Sequence, residues 1–389
     1  MSTSTRPAVP ADGTVPADRA VPPDGTAPDQ ADPAVAPPPG ARLAAALPGR
    51  VLRTPSEALA VRWRPRAVVV GSVLALVLVG LGVLAMTKGS SALTPGEVVT
   101  ALLGDGDRKA TKIVLGIRLP RVVTGVLVGG ALGVAGAVFQ SLSRNVLGSP
   151  DVIGFTTGAA TGAVVQIVVF EGGPLAVALS AVVSGLACAV VVYLLALRGS
   201  RSGGYRLILV GIGVGAILSA VNGLLLTRGG LDQAVEAQVW LAGSLAGRTW
   251  THAAPLALAV AVLLPPVVRL GRRLAYLELG DDAATQLGVR VERTRLALMV
   301  LGVGLTGVAI AAAGPISFVA LAAPQLARRL TRAPAPPVVG SALMGAALLV
   351  AADLLSQHLP LGLAMPVGLM TGLLGGIYLA WLLTRTKKA

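Results

Sequence analysis

A single cysteine, Cys188, in a chain of 389 residues excludes an intrachain disulfide and any thiolate cluster of metal-ligand spacing. It lies inside the apolar run SGLACAVVVYLLAL, where it reads as a small packing residue. Histidine is nearly as scarce, and His252 and His358 stand too far apart for a local motif, so no metal site and no cofactor are expected. Charged residues make up 13% of the chain, against about a quarter in soluble domains. That leaves too little polar surface to coat a water-soluble globule. Aromatics are only 3%, which removes the stacking platforms used to bind single strands. The net charge of +14 is spread in short clusters between apolar runs instead of one patch, and no nucleic acid is expected as a partner. Five lysines are present, and none follows a glycine, so the phosphate-cradling Gly-Lys-Ser/Thr pattern is missing. Any ATP that powers this protein is hydrolysed by another chain. No nucleophile–base pair is visible either, and the chain is not expected to be an enzyme.

What is present is apolar sequence. Hydrophobic residues make up 54% of the chain and mean hydropathy is +0.78. Residues 1–60 differ: they are rich in Pro, Ala and Asp without apolar periodicity, and are expected to form a disordered cytoplasmic tail. No apolar stretch precedes residue 67, which argues against a secretory signal. From there, candidate spans fall near 67–86, 122–141, 151–170, 175–197, 206–227, 251–270, 296–313, 315–330, 338–357 and 365–384. Crossing the hydrocarbon core takes about 20 helical residues, so residues 61–389 are expected to form an all-α polytopic membrane domain of about ten transmembrane helices. The segments on either side of Gly314–Pro315 are short, as broken or tilted helices would be.

Lys and Arg set the orientation. With the tail inside, 19 of them fall on cytoplasmic loops and 8 outside, with both termini cytoplasmic. Gly125 with Gly129, and Gly211 with Gly215, have the four-residue spacing that lets helix backbones approach in lipid. Ionisable groups at membrane depth are few. Asp353 is the clearest, with Gln140, Gln166, Asn222 and Gln325 as neutral companions. An ion-coupled carrier would place its coupling ion there, and it stands as the rival from another functional class.

The stretch RLPRVVTGVLVGGALGVAGAVFQSLSRNVLGSPDVIGFTTGAATGA (118–163) resembles the FecCD family of ABC-importer permeases. The likeness continues through VWLAGSLAGRTW (239–250), LGDDAATQLGVRVERTRL (279–296), AAAGPISFVALAAPQLARRL (311–330), GAALLVAADLL (345–355) and MPVGLMTGLLGGIYLAWLL (365–383). It implies a type II importer permease fold in the cell membrane, importing ferric-siderophore complexes, with haem or cobalamin as the alternative cargo. Four partners are implied: a second permease subunit, either identical or different; cytoplasmic ATP-binding subunits; an extracytoplasmic siderophore-binding lipoprotein; and membrane lipids.

Three groups of residues follow. Arg118 and Arg121 precede the second span on the outside, against the orientation bias. Snorkelling to lipid phosphate and an ion pair to a docking protein explain them equally well, and the resemblance selects docking. A relative's further arginine falls near Gln357, which is uncharged. In the segment 272–295, Gly280, Asp281, Asp282, Ala283, Ala284, Leu287 and Gly288 read as a short helix. Acids open it, Ala284 and Leu287 share a face, and Gly288 stops it. Residues alone favour an ordinary surface helix, whereas the resemblance implies the segment that seats in an ATPase groove. Gly211, Gly215 and Ser219 share one face of the fifth span; helix packing explains them, and the resemblance implies a translocation lining. Gln325, Ala364 and Val146 depart from the family pattern.

Overall fold

A computed structural model describes residues 50–53, 60–89, 91–151, 154–198, 201–202, 204–358 and 365–386. The chain divides into residues 1–49 and 50–389. The expected tail up to residue 49, Ala364, and the terminal Lys387 and Lys388 lie outside the described residues. Arg50–Arg53 pairs antiparallel with Ala60–Trp63, across the boundary expected at residue 60.

Beyond Trp63 the described fold is helical apart from a two-residue ladder at Leu197–Arg198 and Arg201–Ser202. In chain order the helices are α1 (Pro65–Thr87), α2 (Pro95–Leu103), α3 (Arg108–Ile113), α4 (Leu119–Ser143), α5 (Phe155–Val168), α6 (Pro174–Ala196) and α7 (Gly204–Arg228). They continue as α8 (Leu231–Leu241), α9 (Trp250–Glu278), α10 (Asp281–Gln286), α11 (Val291–Ala313), α12 (Val319–Thr331), α13 (Val338–His358) and α14 (Val367–Thr386). Seven are long and apolar enough to cross a bilayer: α1, α4, α6, α7, α9, α11 and α13. Each of the ten expected segments coincides with a helix, but α5 (14 residues), α12 (13 residues) and the apolar part of α14 are shorter. Helices α2, α3 and α8 were not foreseen: they are too short and too polar to register as spans.

Local sequence explains the starts. Proline occupies the first turn of α1, α2 and α6, where its missing N–H costs no helical bond. Thr94 and Glu97 form a reciprocal capping box on α2. Between α3 and α4 the residues Val114–Arg118 make a π-helical turn, a form often found at functional positions.

Helix α4 is the central post. Nearly every residue from Val128 to Leu142 is buried, whereas α1, apolar all round, buries only Leu74 and Gly82. Small residues bring α4 against α13 almost backbone to backbone. A Cβ on Gly129 would lie 2.9 Å from the Ala346 Cα, and one on Gly133 would lie 3.0 Å from the Ser341 carbonyl carbon. At Gly136 a Cβ would lie 3.0 Å from the Ala320 Cα of α12. The chain breaks where the sequence suggested. Gly314 (φ 73°) ends α11, and Phe318 (φ 76°), a bulky residue in the left-handed region, starts α12. Two other interruptions meet this one: Ser244 N–H donates to Ala313 O at 2.8 Å, and Gly368 N–H donates to Gly243 O at 3.2 Å.

Candidate functional site

The two ends of α4 carry the polar chemistry of the bundle. At its N-terminal end Arg118 is buried, and its guanidinium donates to the carbonyls of Met86 and Ser91. Those contacts tie the end of α1 to the start of α4, so Arg118 presents little to a docking protein. Arg121 is also engaged. Its Nε donates to Asp353 Oδ2 at 2.9 Å and its Nη2 to Oδ1 at 2.8 Å, a fork-to-carboxylate pair between α4 and α13. Asp353 is 8% exposed and Arg121 25%. Gln357, one turn on, donates to the same carboxylate at 2.9 Å. Gln357 therefore serves the ion pair. These groups line a cavity of about 200 Å³ together with Lys88 and Ser91. Asp353 is thus spent on Arg121 and Gln357, an arrangement suited to joining helices.

At the other end, α4 stops at Arg144 in the left-handed conformation (φ 50°). Arg144 Nε donates to Leu277 O at 3.1 Å, and its Nη2 pairs with Asp281, the first residue of α10. Arg295, near the start of α11, donates to both Asp281 oxygens at 2.9 and 3.0 Å, and also to Glu292 at 2.7 Å. Burial alone would raise the Asp281 carboxyl. Hydrogen bonding and charge from Arg295, then Arg144, outweigh it and hold the group below the ordinary carboxylate range. Beside this cluster, Glu278 accepts from Ser141 at 2.9 Å and from Arg328 of α12 at 3.3 Å. A cleft of about 230 Å³ lies here, lined by Gln140, Arg144, Glu278, Gln325 and Arg328. Gln140 and Gln325 are spent on carbonyls, at Leu321 (2.9 Å) and Val146 (2.6 Å).

The expected short helix is present as α10. Gly280 (φ 113°) makes the turn into it and Gly288 (φ 78°) the turn out, conformations that side chains rarely adopt. Val289 N–H returns to Ala284 O at 3.0 Å and Gly288 N–H to Thr285 O at 2.9 Å, closing the helix end. Ala284 and Leu287 do not share a face. Ala284 is fully buried within the chain, while Leu287 lies just past the helix and is 55% exposed. The small residue serves internal packing, and the surface left for a partner is Asp282, Thr285, Gln286 and Leu287.

Of the three pathway candidates, Gly211 is buried, Gly215 half-buried and Ser219 exposed. Both glycines face the start of α5: a Cβ on Gly154 would lie 3.1 Å from Gly211 O and 3.6 Å from Gly215 N. Helix packing therefore accounts for them, and only Ser219 is open. Sequence reasoning missed Arg144, Arg295 and Glu278. Their one visible signal is charge placed at helix ends beside an acidic dipeptide, which any cytoplasmic loop also shows.

A predominantly helical bundle with, among the described residues, seven long apolar helices and with polar clusters at both ends of its central helix is the architecture of a multi-pass membrane protein. Residues 74–385 match the FecCD transport family. The ferric enterobactin transport permease FepG of Escherichia coli K12 is 47% identical over 79% of this chain and 93% of its own length. The achromobactin transport permease CbrC of Dickeya dadantii is 38% identical over 81% and 89%, and the hemin permease HmuU of Yersinia pestis 38% over 70% and 84%. A metal-chelate type ABC transporter solved in an inward-facing conformation superposes with a TM-score of 0.70 at 26% identity, covering 81% of this chain and 99% of that one. The chain belongs to the FecCD transport family.

Proposed function

We propose that this chain is the membrane-spanning subunit of an ABC importer that carries ferric-siderophore complexes into the cytoplasm. The observation that carries the substrate class is the 47% identity to a ferric enterobactin permease over nearly all of that protein. Relatives named for achromobactin, iron(3+)-hydroxamate and Fe(3+)-citrate support the same class, and a hemin permease keeps haem as the second reading. On this reading α5, α12 and α14 complete ten crossings beside the seven long helices, both termini are cytoplasmic, and residues 1–60 are an appended tail. Energy comes from separate ATP-binding subunits, and cargo from an extracytoplasmic binding protein. A second permease subunit completes the pathway.

In this mechanism α10 is the contact with the ATPase, through Asp282, Gln286 and Leu287 instead of the buried Ala284. Its motion reaches the membrane through Asp281, which Arg144 and Arg295 tie to α4 and α11. Helix α4 then transmits it to the far end, because its glycine contacts with α13 leave no room to slide independently. The bundle thereby alternates between outward-open and inward-open states. The test is uptake of ferric enterobactin into proteoliposomes holding this chain with its ATPase and binding protein. ATP-dependent uptake that stops when the ATPase is inactivated is expected. Uptake driven by an ion gradient without ATP would sink the importer reading.

A further inference from the structure

Helix α1 buries less of itself than any other of the seven long helices. Its packing is a small cluster in which Leu74, with Val70, meets Ala323, Leu326 and Ala327 of α12 and Met344 of α13. At its first turn a polar contact takes over: Arg66 Nε donates to Leu330 O at 2.8 Å. That carbonyl lies in the last turn of α12, where the helix offers it no partner of its own. The bond fixes the plane of the exposed Arg66 guanidinium. Among the described residues its Nη1 and Nη2 have no partner.

The surroundings are cationic without a counter-charge. Arg64 caps α1, and Arg329 and Arg332 stand exposed on the last turn and the cap of α12. None of the four has a carboxylate partner among the described residues. No Asp or Glu occurs from residue 60 to 96 or from residue 319 to 352, so α1 and α12 supply no acid. At this end of the bundle, Glu278, Asp281 and Glu292 are spent on Arg328, Arg144 and Arg295. Below Arg66 the same face of α1 is an apolar rail. Val69, Val73 and Leu76 follow it at intervals of three, four and three residues, and all are more than half exposed. An excess of arginine at one end follows the orientation rule of membrane proteins in general. What singles out Arg66 is a guanidinium clamped in one plane, its Nη edge free, directly above that rail.

We propose that the edge between α1 and α12 is a binding site for one anionic phospholipid. The headgroup phosphate meets the Nη1/Nη2 edge of Arg66 together with Arg329, since a guanidinium fork suits two phosphate oxygens. One acyl chain lies along Val69, Val73 and Leu76. A free anion would leave that rail bare, whereas a phospholipid fills both halves of the site. The lipid acts as a clip, adding to the slight packing that attaches α1 to α12. The site is independent of the cargo and of the energy source.

The test follows lipid retained by the full-length chain in detergent, titrated with phosphatidylglycerol, phosphatidylcholine or inorganic phosphate and read by native mass spectrometry. The parent is expected to retain one phosphatidylglycerol in preference to phosphatidylcholine, whose choline cation opposes the arginines. Inorganic phosphate is expected not to displace it. Arg66→Gln and Arg329→Gln are each expected to weaken retention about fivefold. Arg66→Lys, which keeps the charge but loses the fork, is expected to fall between Arg66→Gln and the parent. Arg228→Gln, removing an exposed arginine at the end of α7, is expected to change nothing. Phosphatidylglycerol is also expected to raise the melting temperature of the parent more than that of Arg66→Gln. Equal retention by the parent, Arg66→Gln and Arg329→Gln overturns the proposal, and is the result expected if a second subunit covers this face. Equal retention of phosphatidylcholine overturns it, because the site would then read no charge. Displacement by inorganic phosphate overturns it as well, because a free anion would then suffice. If Arg66→Gln fails to fold, Arg329→Gln decides, and retention equal to the parent overturns the proposal.

Discussion

Asp353 shows how one side chain divides two mechanisms. An ion-coupled carrier needs a carboxylate free to bind and release its ion, whereas this one takes two bonds from Arg121 and one from Gln357. Asp353→Ala strips Arg121 of its partner and is expected to cost about 1–3 kcal/mol of stability, read as a lowered melting temperature in detergent. Arg121→Gln combined with Asp353→Asn is expected to cost less than the two single changes added together. Asp281 is the second informative residue. Its carboxyl titrates below the ordinary range when folded, so the contribution of its ion pairs is present above the unfolded value of about 3.9 and is lost as pH falls through the lower folded value. The attachment of α10 is therefore expected to hold at neutral pH and to loosen only in strong acid, followed as amide-exchange protection of residues 281–289. Asp281→Asn is expected to remove that pH dependence and to expose the segment at neutral pH.

At the scale of elements, the contact between α4 and α13 is set by residues without side chains. Gly133→Ala pushes a methyl into the Ser341 backbone, which cannot yield as a flexible side chain can. A loss of about 1–3 kcal/mol is expected. Gly213→Ala on α7, where nothing lies within 4 Å, is expected to be neutral or slightly stabilising. The comparison separates steric fit from helix propensity. Helix α10 supplies a different prediction. Leu287 is more than half exposed, so Leu287→Arg is expected to leave the fold intact while abolishing co-purification of the ATPase. A variant that still retains the ATPase and supports uptake would remove Leu287 from that contact. Sequence pattern located this helix to within a residue. The face it presents was not legible, because a six-residue helix has too few turns for periodicity to distinguish inward from outward positions.

For the whole molecule, topology is the open quantity, and the chain is well suited to measuring it. Cys188, its one cysteine, is buried against Gly154 and Gly158, so background labelling is expected to be low. Leu103→Cys on α2, at a position 74% exposed, is expected to react with a membrane-impermeant maleimide added to intact cells or spheroplasts. Leu287→Cys is expected to react only after the cytoplasmic side is opened. The reverse pattern would invert the proposed orientation.

The sequence by itself determined the solvent, the helical class and the order of the long helices. Apolar runs of span length admit no other backbone in lipid, where each N–H and C=O must be satisfied within its own segment. It also located the break at Gly314–Pro315 and, through its motif blocks, the family. The tertiary structure decided which arginines are available and which are consumed. Arg121 and Asp353 are 232 residues apart in the chain, and Arg144 and Asp281 are 137 apart, separations across which no local pattern carries information. The same holds for Gly211 and Gly215, whose spacing announced a close approach but not that Gly154 is the surface approached. Pairing between distant helices depends on which faces meet, and that is fixed only when the whole bundle packs.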